Sequence, residues 1–403
     1  MRPRHTLHPL PSFPVYSCAF LSPNEVVLGG GGGASRSGIK NKLRLYNIDA
    51  DRSLELKDEF ELERGEDAPM SMAGQKDSRT IVCGVNSVEE KLLKGENVNC
   101  RAFSDYTAQG HEYVTTRDTD DFQKVTALSP DGTLLAVAGS HDLTLLSFPS
   151  LQPVSERVHS EKEIYDASFS SKNLVITTTQ HLLVYALPTV PSPPPSQMSL
   201  GKKSKKKSKT SGNAEAEKVV FLELQKTIEL PSSIGEGVTF RTGRFHPSNE
   251  QTLYTIINIV PPRSRKSKSS TRQAYICKWN TETWKVERTK KVADSGLTCM
   301  DLSSDGRFLG YGSSNLTIGM LDAKTLSPLV SILKAHEFPP TVIKFNPITS
   351  LLISGSADNS IRIVSVPSVV EGSSFGFIVF LLLTVLILLL AIAYRQYQGS
   401  LGF

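Results

Sequence analysis

Val125 to Phe148 reads VTALSPDGTLLAVAGSHDLTLLSF. Two apolar runs flank Ser-Pro-Asp-Gly, the second ends in Gly-Ser, and a third run follows. Short apolar runs bounded by turn residues suit strands, and Pro-Asp-Gly presets a tight reversal between the first two. The same outline returns closely at Leu297–Asp322 and Thr341–Val366. Weaker copies start at Val15, Met70, Ile164 and Thr242.

The centres of the copies are Ala19, Met72, Leu128, Ser168, Phe245, Asp301 and Lys344. Most of the spacings between them lie between 40 and 56 residues, and the widest, 77 residues, contains a lysine-rich insert. A period of this size with several strands per unit is the signature of a β-propeller of WD-repeat type. The WD dipeptide itself is missing, and the third strands end in segments such as LYNI, LLSF, VYAL and CKWN. The expected fold is therefore all-β, a degenerate seven-bladed propeller. Two stacked β-sandwiches fit the strand pattern as well, but a propeller also removes the open sheet edges by closing into a ring.

The placement of charge excludes one class of function. The chain of 403 residues has a formal charge of +5. Pro188 to Lys218 carries +5, and Pro261 to Arg272 carries another +5, which leaves the rest near −5. A mildly acidic body with its basic charge in two inserts argues against a nucleic-acid groove built into the fold. The insert at 188–218 is low-complexity and expected to be disordered, and the loop at 261–272 is a second basic insertion. The five cysteines, Cys18, Cys83, Cys100, Cys277 and Cys299, are scattered without metal spacing and read as reduced, packed thiols.

Phe375 to Tyr394 contains 20 residues without a charge. At 1.5 Å per residue this stretch spans about 30 Å, the thickness of a bilayer core. The sequence thus predicts a propeller domain over 1–372, a membrane helix over 375–394 and a short tail over 395–403. With no signal peptide at the N-terminus, the propeller is expected in the cytosol and the tail on the lumenal side.

Gly29 to Asn41, GGGGGASRSGIKN, lies between the strands EVVLGG and KLRLYNI of the first blade. A phosphate-cradling P-loop needs lysine directly after the last glycine and a helix next. Gly33 and Gly38 have its glycine spacing, but Ile39 precedes Lys40 and a strand follows. A dinucleotide fingerprint fails for want of the same helix. What remains is a loop whose glycines allow unusual turns and present backbone groups outward, and ordering so many glycines is entropically costly.

The segment GGGGASRSGIKN, in the first blade of a degenerate propeller with a C-terminal apolar span, resembles the endoplasmic-reticulum exchange-factor family. That family comprises the prolactin regulatory element-binding protein and its fungal and plant relatives. The resemblance implies guanine-nucleotide exchange, without covalent chemistry, on the small GTPase that initiates COPII coat assembly. It implies that Asn41 and Ile39 carry the exchange function, with Asn41 expected to contact the GTPase. It also implies that Gly30, Gly31, Gly32, Gly33, Gly38, Lys40 and Pro69 belong to the GTPase-contacting surface. A potassium ion is expected within Gly29–Asn41, its ligands left open because carbonyls leave no side-chain signature. Expected alongside are a single-pass anchor in the endoplasmic-reticulum membrane and neither a nucleic-acid partner nor a small-molecule substrate. The alternative function is a membrane-anchored propeller scaffold that leaves nucleotide untouched.

Overall fold

The computed structural model describes residues 4–34, 37–75, 79–104, 107–111, 121–188, 220–260, 272–367 and 374–400. The inserts read at 188–218 and 261–272 fall almost wholly outside the described residues. The chain forms two units, Met1–Ser365 and Val366–Phe403.

In the first unit the described strands make seven four-stranded antiparallel sheets. Their inner strands are Val15–Phe20, Ser71–Gln75, Val125–Leu128, Ile164–Phe169, Val238–His246, Leu297–Leu302 and Pro340–Phe345. Each lies beside the inner strand of the next sheet, and the last lies beside the first, so the ring is closed. All seven central residues read from the repeats fall in these strands. The core lies between neighbouring sheets. Val26, Leu28, Tyr46 and Ile48 of the first sheet, for example, pack against Ile353, Ile361 and Ile363 of the last.

The strands around the glycine-rich stretch are β1 (His5–Pro9), β2 (Val15–Phe20), β3 (Glu25–Gly30), β4 (Lys42–Ile48), β5 (Leu54–Glu61) and β6 (Ser71–Gln75). β2 to β5 form one sheet, and β6 begins the next. β1 belongs to neither. It pairs antiparallel with Ser360–Ser365, from His5 opposite Val364 to Pro9 opposite Ser360, and so supplies the outer strand of the last sheet. The repeat pattern gives no hint of this strand, because its side chains alternate only between exposed and half-buried. Val15 of β2 lies opposite Gly30 of β3. The turn between β3 and β4 therefore sits at the end of the ring where the inner strands begin.

The turn aspartates cap their own turns, as in Ser129 Oγ to Asp131 at 2.5 Å and Ser303 Oγ to Asp305 at 2.7 Å. The five cysteines are unpaired, and burial pushes the Cys18 and Cys100 thiols up to about 12, so both stay neutral. His336, in the connection between the strands Pro328–Ile332 and Pro340–Phe345, is buried. Its Nδ1 lies 2.8 Å from Ser360 Oγ and its Nε2 2.8 Å from Ser354 Oγ. Ser360 Oγ donates to Asp358 at 2.6 Å, so it must accept from the Nδ1–H. Nε2 then accepts from Ser354. This arrangement suits a neutral ring.

The second unit contains the helix Ser374–Ser400. Its described side chains, those of residues 379–394, are apolar apart from the phenol of Tyr394 and Thr384, whose hydroxyl donates to the Leu381 carbonyl at 2.8 Å. Among the described residues no helix is long and apolar enough to cross a membrane.

Burial lowers the pKa of His336 below 6.5, with Arg362 adding to the effect and Asp358 opposing it. The unfolded chain therefore binds a proton that the folded ring excludes. The contribution is complete above the unfolded pKa and is lost as pH falls below about 6.5, at no more than about 1.4 kcal/mol per pH unit. His336→Gln is expected to lower the urea midpoint at pH 7.5 and to flatten its decline between pH 7 and pH 5. Equal slopes in the two proteins would refute this role.

Candidate functional site

The glycine run divides between strand and loop. Gly29 and Gly30 complete β3, while Gly31, Gly33 and Gly38 have positive φ. At Gly29 the reason for glycine is lack of space: a Cβ would lie 2.4 Å from Ser17 Oγ and 2.8 Å from Pro69 Cβ. Pro69 is itself buried, and its carbonyl accepts a hydrogen bond from Ser17 Oγ at 2.6 Å. Gly31 combines both constraints. Its φ is 141°, and a Cβ would come within 2.2 Å of Asn41 Oδ1. Its amide donates to the Pro14 carbonyl at 3.0 Å, which ties the loop base to the segment that follows β1.

Asn41 is 7% exposed and faces the inside of the loop. Its Nδ2 donates to the carbonyls of Gly33, at 3.0 Å, and Glu66, at 2.7 Å. Its Oδ1 accepts from the Gly33 amide at 2.9 Å. One side chain thus spans the loop and pins it to the connector between β5 and β6. Ile39 is half-buried, whereas Ser37, Gly38 and Lys40 are exposed. Lys40 pairs with Glu61 at 2.7 Å, with the side chains 65% and 43% exposed, a geometry that adds little stability.

Three residues outside the sequence motif complete the site. Asp67 Oδ1 accepts from the Ala34 amide at 3.2 Å and from the Ala68 amide at 2.7 Å. Glu66, 3% exposed, forms an ion pair with Arg101 at 2.6 Å. Glu66 and Asp67 precede Pro69 in EDAPMS, but nothing in their local spacing signals a bond to residues 25 or 33 positions away.

Several oxygens also lie close to the glycines of the loop. A Cβ placed on Gly32 would lie 2.1 Å from Ser37 Oγ and 2.9 Å from the Ile39 carbonyl, and one on Gly31 would lie 2.7 Å from the Lys40 carbonyl. Oxygen-only donors of hydroxyl and carbonyl type fit a hard cation such as potassium, with Asp67 nearby as a carboxylate. Among the described residues no cluster of three His, Cys, Asp or Glu could hold a metal.

A family profile described as WD domain, G-beta repeat matches residues 327–365, within the last two sheets. The crystal structure of Chaetomium thermophilum Raptor is similar to 90% of this chain over 29% of its own, with TM-score 0.59 and 11% identity. That likeness concerns the fold alone. The guanine nucleotide-exchange factor SEC12 of Candida glabrata is 22% identical over 368 residues, 88% of this chain and 71% of that protein. The protein of the same name from Rattus norvegicus is 22% identical over 374 residues, 83% of this chain and 82% of its own. Over most of its length, the chain is similar to SEC12 guanine nucleotide-exchange factors.

Proposed function

We propose that the protein is a guanine-nucleotide exchange factor that promotes GDP release from the small GTPase initiating COPII coat assembly at the endoplasmic reticulum. The observation that carries this reading is the braced loop, which leaves Gly38 and Lys40 exposed and Ile39 half-buried between them, in a chain similar over most of its length to SEC12 proteins. An exchange factor binds the nucleotide-free GTPase more tightly than the GDP form. By linkage it must weaken GDP affinity by the same factor. A loop already fixed in shape spends little of its binding energy on ordering itself.

In this reading Gly38, Ile39 and Lys40 touch the GTPase, Gly30–Gly33 shape the loop, and Pro69 supports it from below. Asn41 acts from inside by fixing the separation of the two loop arms. Ser37 Oγ and the Ile39 and Lys40 carbonyls, with Asp67 beside them, would hold a potassium ion. When bound, the ion supplies a fixed positive charge at the loop centre. The C-terminal helix is proposed as a single-pass anchor in the endoplasmic-reticulum membrane, with the propeller cytosolic and the C-terminus lumenal. The exposed, largely apolar side chains of residues 379–394 support that placement.

The test follows release of fluorescent GDP from the purified GTPase, with the full chain in detergent, in potassium and in sodium buffer. The expected result in potassium is acceleration by about ten- to a hundredfold, with less in sodium. No acceleration in potassium overturns the exchange reading, and equal acceleration in both buffers overturns the ion.

Asn41→Asp places an acceptor where the Nδ2 donates to two carbonyls, at a cost of about 1–3 kcal/mol for each bond lost. Exchange is expected to fall about tenfold or more while the far-ultraviolet circular dichroism of the ring is unchanged. Undiminished exchange in this variant would show that Asn41 does not set the loop's shape.

A further inference from the structure

The glycine loop belongs to the first sheet, but its fixed shape originates in the second. Glu66 is the link between them. Its carbonyl accepts from Asn41 Nδ2 at 2.7 Å. Its carboxylate is fully committed, with Oε1 accepting from Arg101 Nη2 at 2.6 Å and Oε2 from the Glu63 amide at 3.0 Å. Arg101 lies on the strand Cys100–Ser104 of the second sheet, and its Nε donates to the Val98 carbonyl at 2.9 Å. The connector is tied to the second sheet again through the Asp67 amide, which donates to the Asn86 carbonyl at 3.0 Å. The same Asp67 caps Ala34 in the loop.

Stability alone does not require a buried charge pair here. Desolvating two charges offsets most of their attraction, and an apolar pair of similar volume often serves as well or better. The boundary between the sheets already has an apolar cluster that includes Leu43, Leu62, Cys83 and Phe103. What the ion pair adds is direction. Arg101 holds the Glu66 side chain, the side chain orients its own backbone, and the backbone carbonyl sets where Asn41 and Gly33 sit.

We propose that Glu66, held by Arg101, is a positioning residue for the glycine loop and for the exchange reaction attributed to it. Only the kinetic part of the proposal rests on the exchange-factor reading. Glu66→Gln keeps the backbone carbonyl and the side-chain volume while removing the charge. Arg101→Lys keeps the charge but loses the planar fork that fixes its direction.

Hydrogen exchange of the full chain, read by mass spectrometry on the peptide covering 29–41, tests the clamp without any GTPase. Both Glu66→Gln and Arg101→Gln are expected to speed uptake in that peptide about fivefold or more. A control peptide covering 351–365, in the last sheet, should be unchanged. The double variant should be no worse than either single one, because both remove the same coupling. Arg101→Lys should lie between the natural chain and Arg101→Gln. In the exchange assay the KM for the GTPase should rise about tenfold with kcat nearly unchanged. A purely structural role would instead speed uptake in both peptides.

Unchanged uptake in 29–41, or equal increases in both peptides, would overturn the positioning role. Additive effects in the double variant would also overturn it. If the natural chain fails to speed GDP release, the exchange reading falls, and the hydrogen-exchange comparison still decides the clamp. Should Glu66→Gln not fold, the Arg101→Lys and Arg101→Gln pair gives the same comparison.

Discussion

Everything in the ring depends on five residues of β1 pairing with a strand that lies about 350 positions later in the chain. Joining ends so distant costs about 5 kcal/mol by the length-dependent term of loop closure, which rises only with the logarithm of length. The residues that follow the pairing offset it. Leu10, Phe13 and Val15 are buried against Ile353, Ile361 and Ile363, and side chains of this size contribute about 1.5–3 kcal/mol each when buried. The Leu10 amide also donates to the Asn359 carbonyl at 2.7 Å, continuing the closure beyond the strand. Without this pairing the last sheet would have three strands, and the first and last sheets would be joined only by their shared core and the contact between their inner strands.

Closure also positions the candidate site, through a short chain of contacts. The segment leaving β1 places Phe13 beneath Arg44, whose guanidinium lies 4.2 Å from the ring centroid. The next residue, Pro14, accepts the Gly31 amide with its carbonyl. From Gly31 the path runs to Asn41, to Glu66 and so to Arg101 on the second sheet. The loop is therefore fixed from both neighbours. The closing segment holds its base, and the next sheet holds its brace. A hairpin tip with this many glycines has little stiffness of its own, so the ring must provide it.

The local chemistry of the chain explains which parts of this could be read from the sequence. The inner strands Val125–Leu128 and Leu297–Leu302 were the most legible because each is followed by a turn whose aspartate acts on its own backbone, Asp131 in one and Asp305 in the other. β1 was not legible, because HTLHP has no apolar alternation and its partner is at the far end of the chain. The burial of His336, which lies in a connection between strands, was not legible, since the hydroxyls that bury it arrive 18 and 24 positions later. At the candidate site, the glycines and Asn41 lie together in one loop, as their spacing suggests. Two of the five glycines, however, serve the strand, where Ser17, Pro69 and Pro14 approach too closely for a side chain. Nothing in a sequence says whether an asparagine amide faces inward or outward. Here two carbonyls and one amide surround it, and it faces inward.

That inward turn changes what the loop can offer a partner. With Asn41 buried and Ile39 half-buried, the exposed residues among those described in the loop are Ala34, Ser37, Gly38 and Lys40. Apart from Lys40, these four present backbone and small side chains. A surface of this kind is recognised by shape and by main-chain hydrogen bonds, so its specificity depends on how exactly the backbone is held. Glycine is then needed in the loop for two opposing reasons: it permits the turns at Gly31 and Gly33, and it leaves the peptide groups bare. The rigidity that glycine removes must come from residues that never meet the partner, and Asn41, Glu66 and Arg101 occupy those positions.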